Sequence, residues 1–174
     1  MAETRRGFLK VVTAAMGAVI AGILGFPLVR YLLYPVRKKI VSGSDAPVDV
    51  VGVEQLPKDG RPQRVTVYAN GVRDAWGVAD QVAIGAAWVR KQKDGSVLAL
   101  STVCPHLGCA VDYDRAADEY RCPCHKSAFG ADGERRSGPS KRGMDPLPLT
   151  IEDGRIKLQY VRYRSDVPER EPLG

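Results

Sequence analysis

Two patterns of apolar positions divide the 174-residue chain. From Val11 to Val29 the chain runs without a charge, bracketed by Lys10 and Arg30. As a helix rising ~1.5 Å per residue this stretch spans about 28 Å, close to the ~30 Å hydrocarbon core of a bilayer. It predicts one membrane-crossing helix, with Pro27 tolerable inside it and Tyr31 and Tyr34 suited to the membrane–water interface. The competing reading, a buried core helix, would need a second apolar helical stretch to pack against, and the sequence offers none. Beyond residue 40 the period changes to two. Val65, Val67 and Ala69 alternate with Arg64, Thr66 and Asn70, Tyr68 breaking the order, and Ile156, Leu158 and Tyr160 alternate with Lys157 and Gln159. Lys93-Asp94-Gly95 and Glu152-Asp153-Gly154 are hairpin-type turns between such runs.

With 18 Gly and 12 Pro and no sustained helical period after residue 40, the expected fold is all-β. It is a small antiparallel domain over 48–164, preceded by the N-terminal transmembrane helix in a segment covering 1–39. Residues 40–47, IVSGSDAP, are expected to form a flexible linker, and 165–174, polar with two Pro, a loosely held tail. Trp76 and Trp88 are expected as buried strand residues rather than ligand platforms.

Composition is that of an ordinary globular chain, 44% apolar and 26% charged, which argues against disorder. The formal charge of +6 raises the question of nucleic acid binding. Its distribution answers in the negative. Positions 1–39 carry seven Lys and Arg against Glu3 alone, whereas over 40–174 the basic and acidic side chains balance, 19 against 19. No phosphate-binding face is expected, and no nucleic acid partner.

Thr4-Arg5-Arg6-Gly7-Phe8-Leu9-Lys10 stands directly before the apolar run and resembles a twin-arginine export signal. The run contains no Ala-x-Ala triplet, so the segment is expected to stay as an uncleaved anchor. One count opposes export. The exit flank is basic at four positions (30, 37, 38, 39) and the entry flank at three (5, 6, 10), so the positive-inside rule alone does not place the C-terminal part outside. The export motif and the cysteine chemistry below are given more weight. Arg37-Lys38-Lys39 suits either anionic lipid head groups or plain solvation.

All four Cys (104, 109, 122, 124) and both His (106, 125) fall between positions 104 and 125. Box one is Cys104-Pro105-His106-Leu107-Gly108-Cys109, and box two is Cys122-Pro123-Cys124-His125-Lys126-Ser127. A structural zinc site would accept two Cys and two His but leaves two thiols over. A catalytic thiol needs a base and an orienting group, not a duplicated box. A disulfide framework alone has no use for both histidines.

The boxes resemble those of the Rieske family, closely over Cys104-x-His106 and Cys122-x-x-His125 and more loosely through the β body to about residue 162. The resemblance implies one Rieske-type 2Fe-2S cluster with Cys104, His106, Cys122 and His125 as metal ligands, within a cluster-binding part at about 101–146. It also implies a disulfide between Cys109 and Cys124, a feature of Rieske subunits of quinol–cytochrome c reductases rather than of soluble Rieske ferredoxins. Such a disulfide belongs to an oxidising compartment. The expected place is therefore a bacterial cytoplasmic membrane, single-pass, with the cluster domain on the outer side. Phe26-Pro27-Leu28-Val29-Arg30 through Pro35 looks like the anchor exit of menaquinol-type members.

The implied function is electron transfer from a quinol, menaquinol favoured, to a cytochrome c type heme, with cytochrome b and cytochrome c type subunits as partners. Neutral imidazole ligands place such clusters at roughly −150 to +300 mV, where they can oxidise a quinol. His125 is expected to meet the quinol and, with His106, to couple electron to proton. The linker would then act as a hinge. Ser127 matches the family's hydrogen-bond donor to a bridging sulfide, whereas Phe129 stands where high-potential members have a Tyr. A midpoint below that of ubiquinol-type proteins is expected. Lys126 replaces the usual Gly beside the ligand, and in Ser137-Gly138-Pro139-Ser140-Lys141-Arg142, which resembles the family's covering loop, Lys141 replaces the second Pro. Two rivals stand beside this reading: the small Rieske subunit of an arsenite-oxidase-type molybdoenzyme, and a tethered periplasmic electron carrier.

Overall fold

The computed structural model describes residues 2–37, 46–73 and 77–173, and the chain divides into two units, one holding the N-terminal helix and the other the β body. Helix α1 runs from Ala2 to Leu33 with Pro27 inside it, and a short 3-10 turn, Tyr34–Arg37, follows. Its large apolar side chains, from Phe8 through Leu33, are exposed. Such a helix, long and apolar enough to cross a membrane, is stable where lipid covers that surface. The linker at 40–47 lies outside the described residues apart from Ala46 and Pro47, as does Trp76.

The β body begins with β1 (Val48–Gly52), β2 (Gln63–Ala69), β3 (Val82–Lys91) and β4 (Val97–Ser101). Four short strands follow: β5 (Asp112–Asp114), β6 (Glu119–Arg121), β7 (Ala128–Phe129) and β8 (Arg135–Ser137). The chain then returns through β9 (Leu149–Glu152) and β10 (Arg155–Leu158). These strands form three antiparallel sheets, ordered β2-β3-β4, β1-β10-β9 and β8-β7-β6-β5, and among the described residues two further two-stranded pairings accompany them.

The first two sheets enclose one core. Val65, Val67 and Ala69 point inward from β2, while Arg64, Thr66 and Tyr68 point to solvent, so the aromatic residue that breaks the alternation sits on the outer face. Ile156, Leu158 and Tyr160 face the same interior with Val51, Leu56, Val89 and Leu147. Tyr160 lies against β3 at Gly85, where a Cβ would come within 2.0 Å of its ring, so this close approach requires glycine. Both expected turns form. In the first, Gln92 N–H donates to Ser96 O at 2.7 Å, and in the second Asp153 and Gly154 both have positive φ (50° and 72°), as a type I′ hairpin needs.

A second core of Leu100, Cys104, Val111, Tyr120, Cys122, Phe129 and Met144 lies under the four-stranded sheet. Trp88 on β3 is half-buried against it, its Nε1 donating to Val111 O at 2.9 Å. The two subdomains are joined along β4, where Ser101 N–H donates to Asp145 O and Leu147 N–H to Ala99 O, at 2.8 and 2.9 Å.

The C-terminal tail differs from expectation. Arg162–Tyr163 (β11) pairs with Pro172–Leu173 (β12), and side chains at 141, 142 and 145 bond the segment between them. Its polar composition predicts weak attachment, but the partners that hold it are distant in sequence and leave no local signal.

Candidate metal centre

Both boxes fold as the same six-residue loop. In box one Cys104 N–H donates to Cys109 O at 2.8 Å and Gly108 N–H to Cys104 O at 2.9 Å. In box two Cys122 N–H donates to Ser127 O at 2.8 Å and Lys126 N–H to Cys122 O at 3.0 Å. Each loop opens with Cys-Pro and turns back at its fifth residue, which has positive φ: Gly108 (82°) and Lys126 (59°). Histidine occupies the third position of one loop and the fourth of the other.

Facing loops bring the six residues together. The rings of His106 and His125 lie 4.9 Å apart, nearly perpendicular at 87°. Cys104 and Cys122 are free and buried, and Cys109 and Cys124 form a disulfide with Cα atoms 6.6 Å apart. This crosslink ties loop to loop, the pairing that the resemblance implied. The sulfurs of Cys109, Cys122 and Cys124 lie within 4.8 Å of one another, but a disulfide sulfur offers no thiolate, so that trio is not a ligand set.

The free side chains meet the demands of a metal. Burial pushes the Cys104 thiol up to about 11, and neighbouring Cys122 adds to the rise while the amides of His106 and Leu107 oppose it. Ionising Cys104 in that setting takes a compensating cation, which a bound metal supplies. His106 Nδ1 is buried with no hydrogen-bond partner, an orphan that coordination would satisfy. Two thiolates and two imidazoles so arranged could hold a two-iron cluster, soft sulfur on one side and imidazole on the other.

The surroundings are built around box two. Ser127 is buried, its Oγ accepting from Ser140 N–H at 3.2 Å, which leaves its hydroxyl proton available. Gly138, with φ of 89°, presses on the same residue: a Cβ there would lie 2.4 Å from Ser127 Cα. Phe129 is fully buried and brings no hydroxyl. By contrast Leu107, His125 and Lys126 are exposed at the tip and His106 is half-buried.

Residues 46–150 match the family described as the Rieske [2Fe-2S] domain. The chain belongs to the Rieske family. Its cofactor is the 2Fe-2S cluster of that domain, and its curated relatives include subunits of quinol-oxidising complexes. The chain is 34% identical over 164 residues to the cytochrome b6-f complex iron-sulfur subunit of Chlorobaculum tepidum, covering 90% of this chain and 76% of the relative. It is 34% identical to the menaquinol:cytochrome c reductase iron-sulfur subunit of Bacillus subtilis and 30% identical to that of Geobacillus thermodenitrificans. Both alignments cover 94% of this chain and 95% of the relative.

Sequence reasoning named Arg142 only as the last residue of the covering loop, with no role of its own, and missed Asp145. Both are buried charges in an irregular segment, where no periodicity distinguishes them from a solvated loop.

Proposed function

We propose that this chain is the electron-transfer subunit of a quinol–cytochrome c oxidoreductase, oxidising a quinol and reducing a cytochrome c type heme. The observation that carries the reading is the pair of facing imidazoles and the two buried free thiols carried on two loops that a disulfide joins. Cys104 and Cys122 would hold one iron, and His106 and His125 the other. When bound, the cluster supplies one-electron acceptance in the range open to Rieske centres, roughly −150 to +300 mV.

The chain's own groups do the rest. Buried His106 Nδ1 has no hydrogen-bond partner and would bind the metal, which would leave Nε2 as the nitrogen able to hold or release a proton. Exposed His125 meets the quinol hydroxyl and accepts its hydrogen bond. Ser127 donates its free hydroxyl proton toward the cluster. The disulfide and the Gly138 loop fix both boxes and exclude water from the thiolate side. The partners are a cytochrome b subunit and a cytochrome c type subunit, and menaquinol is the favoured donor because Phe129 withholds a hydroxyl that would raise the potential. The anchor is retained after twin-arginine export, and the β body stands on the outer side. The names of relatives that span the chain support this reading over the molybdoenzyme rival.

Electron paramagnetic resonance of dithionite-reduced membranes, with potentiometric titration and a quinol-site inhibitor, tests the proposal. A reduced-cluster signal that the inhibitor shifts is expected. Zinc in place of iron would overturn the cluster, and a signal indifferent to the inhibitor would overturn the quinol.

A further inference from the structure

Arg142 and Asp145 are the two charged residues buried among those described. They pair through two hydrogen bonds of 2.8 Å, Nε to Oδ1 and Nη2 to Oδ2. A buried ion pair offsets the dehydration of both charges only when the remaining donors also find partners. Here those donors reach the C-terminal hairpin. Nη1 donates to Val167 O at 2.6 Å and Nη2 to Arg164 O at 2.8 Å.

The same hairpin touches box one. Asp166 N–H donates to Pro105 O at 2.9 Å. Asp166 sits at φ of 59°, a left-handed conformation that is strained for a non-glycine residue and persists when its surroundings enforce it. Lys141 supplies part of that enforcement, its Nζ donating to Asp166 O at 2.8 Å and pairing with the carboxylate at 3.2 Å. At the other end, Asp145 is fixed to the β2-β3-β4 sheet through its carbonyl and β4, and Arg170 adds a contact of 3.4 Å to its Oδ1. Ser140 connects this loop to box two, donating through Oγ to Arg142 O at 2.8 Å and through N–H to Ser127 Oγ.

The two boxes are thus braced from outside by different segments. Box two is pressed by Gly138; box one is held at Pro105 by the tail. We propose that residues 164–167 are a bracing segment for the cluster and that Arg142 is a positioning residue. It acts through the tail to hold box one, and with it His106, against the metal. The proposal rests on the cluster reading above.

Two variants of the cluster-loaded protein in detergent test it. One, otherwise unaltered, combines Arg142→Met with Asp145→Leu, which removes the donors to the tail without stranding a buried charge. The other ends the chain after Val161, which removes the tail and leaves the ion pair. In both, amide hydrogen exchange at 106–109 is expected to quicken at least tenfold while that at 124–127 stays unchanged. The midpoint is expected to rise, because admitted water stabilises the more negative reduced state. Wild-type exchange at box one in either variant overturns the brace, as does equal acceleration of both boxes. A wild-type protein with no reduced-cluster signal overturns the cluster reading instead, and box-one exchange still decides the brace.

Discussion

Lys126 and Gly108 stand at corresponding positions of two loops closed by the same hydrogen bonds, yet one of them carries a side chain at positive φ. That conformation costs a non-glycine residue about 1 kcal/mol. Lys126→Gly is expected to stabilise the β body by about 1 kcal/mol in denaturant unfolding. It is also expected to lower the midpoint, because it removes a cation beside His125. An unchanged midpoint would show that the ammonium is too well solvated to matter. Ser127 and Phe129 bear on the potential more directly. A hydrogen bond to a charged acceptor is worth about 1.5–3 kcal/mol, or about 65–130 mV for a one-electron couple. Ser127→Ala should lower the midpoint by an amount of that order, and Phe129→Tyr should raise it if the added hydroxyl reaches a ligand sulfur. Potentiometric titration of both variants checks the pair of shifts.

Strands were legible wherever one face of a sheet is buried and the other wet, since β2 and the stretch from Ile156 to Tyr160 show period two because of that asymmetry. The boxes were legible because chemistry concentrates six rare side chains in one short stretch. The second core was not, since Leu100, Val111, Phe129 and Met144 come from short strands and loops with no repeat to detect. Nor was the tail hairpin, whose fixing bonds run from buried Arg142 to backbone carbonyls that any sequence supplies. At this scale the disulfide is the element-joining device. It bridges a sequence separation of 15, for which chain entropy predicts about 3 kcal/mol. Cys109→Ser with Cys124→Ser should lower the unfolding free energy by about that much and speed cluster loss, read by guanidinium unfolding and decay of the resonance signal.

Across the whole molecule the charge is divided: positions 1–39 hold the entire formal excess, and the rest is balanced. The overall +6 therefore describes an anchor and its flanks rather than a working surface. Those flanks give conflicting topological signals, because the more basic side follows the helix while the export motif precedes it. The proposed function places the β body outside the cytoplasm, the kind of compartment in which a disulfide such as Cys109–Cys124 persists. Replacing both arginines of the motif, Arg5→Lys with Arg6→Lys, keeps the flank's charge and removes what an export receptor reads. The variant is expected to remain in the cytoplasm, where its Cys109 and Cys124 are both alkylated on thiol trapping and its β body resists protease added to spheroplasts. The unaltered chain should show neither behaviour. If the variant still forms the disulfide and is still cut from outside, the apolar helix alone directs insertion and the paired arginines have no part in export.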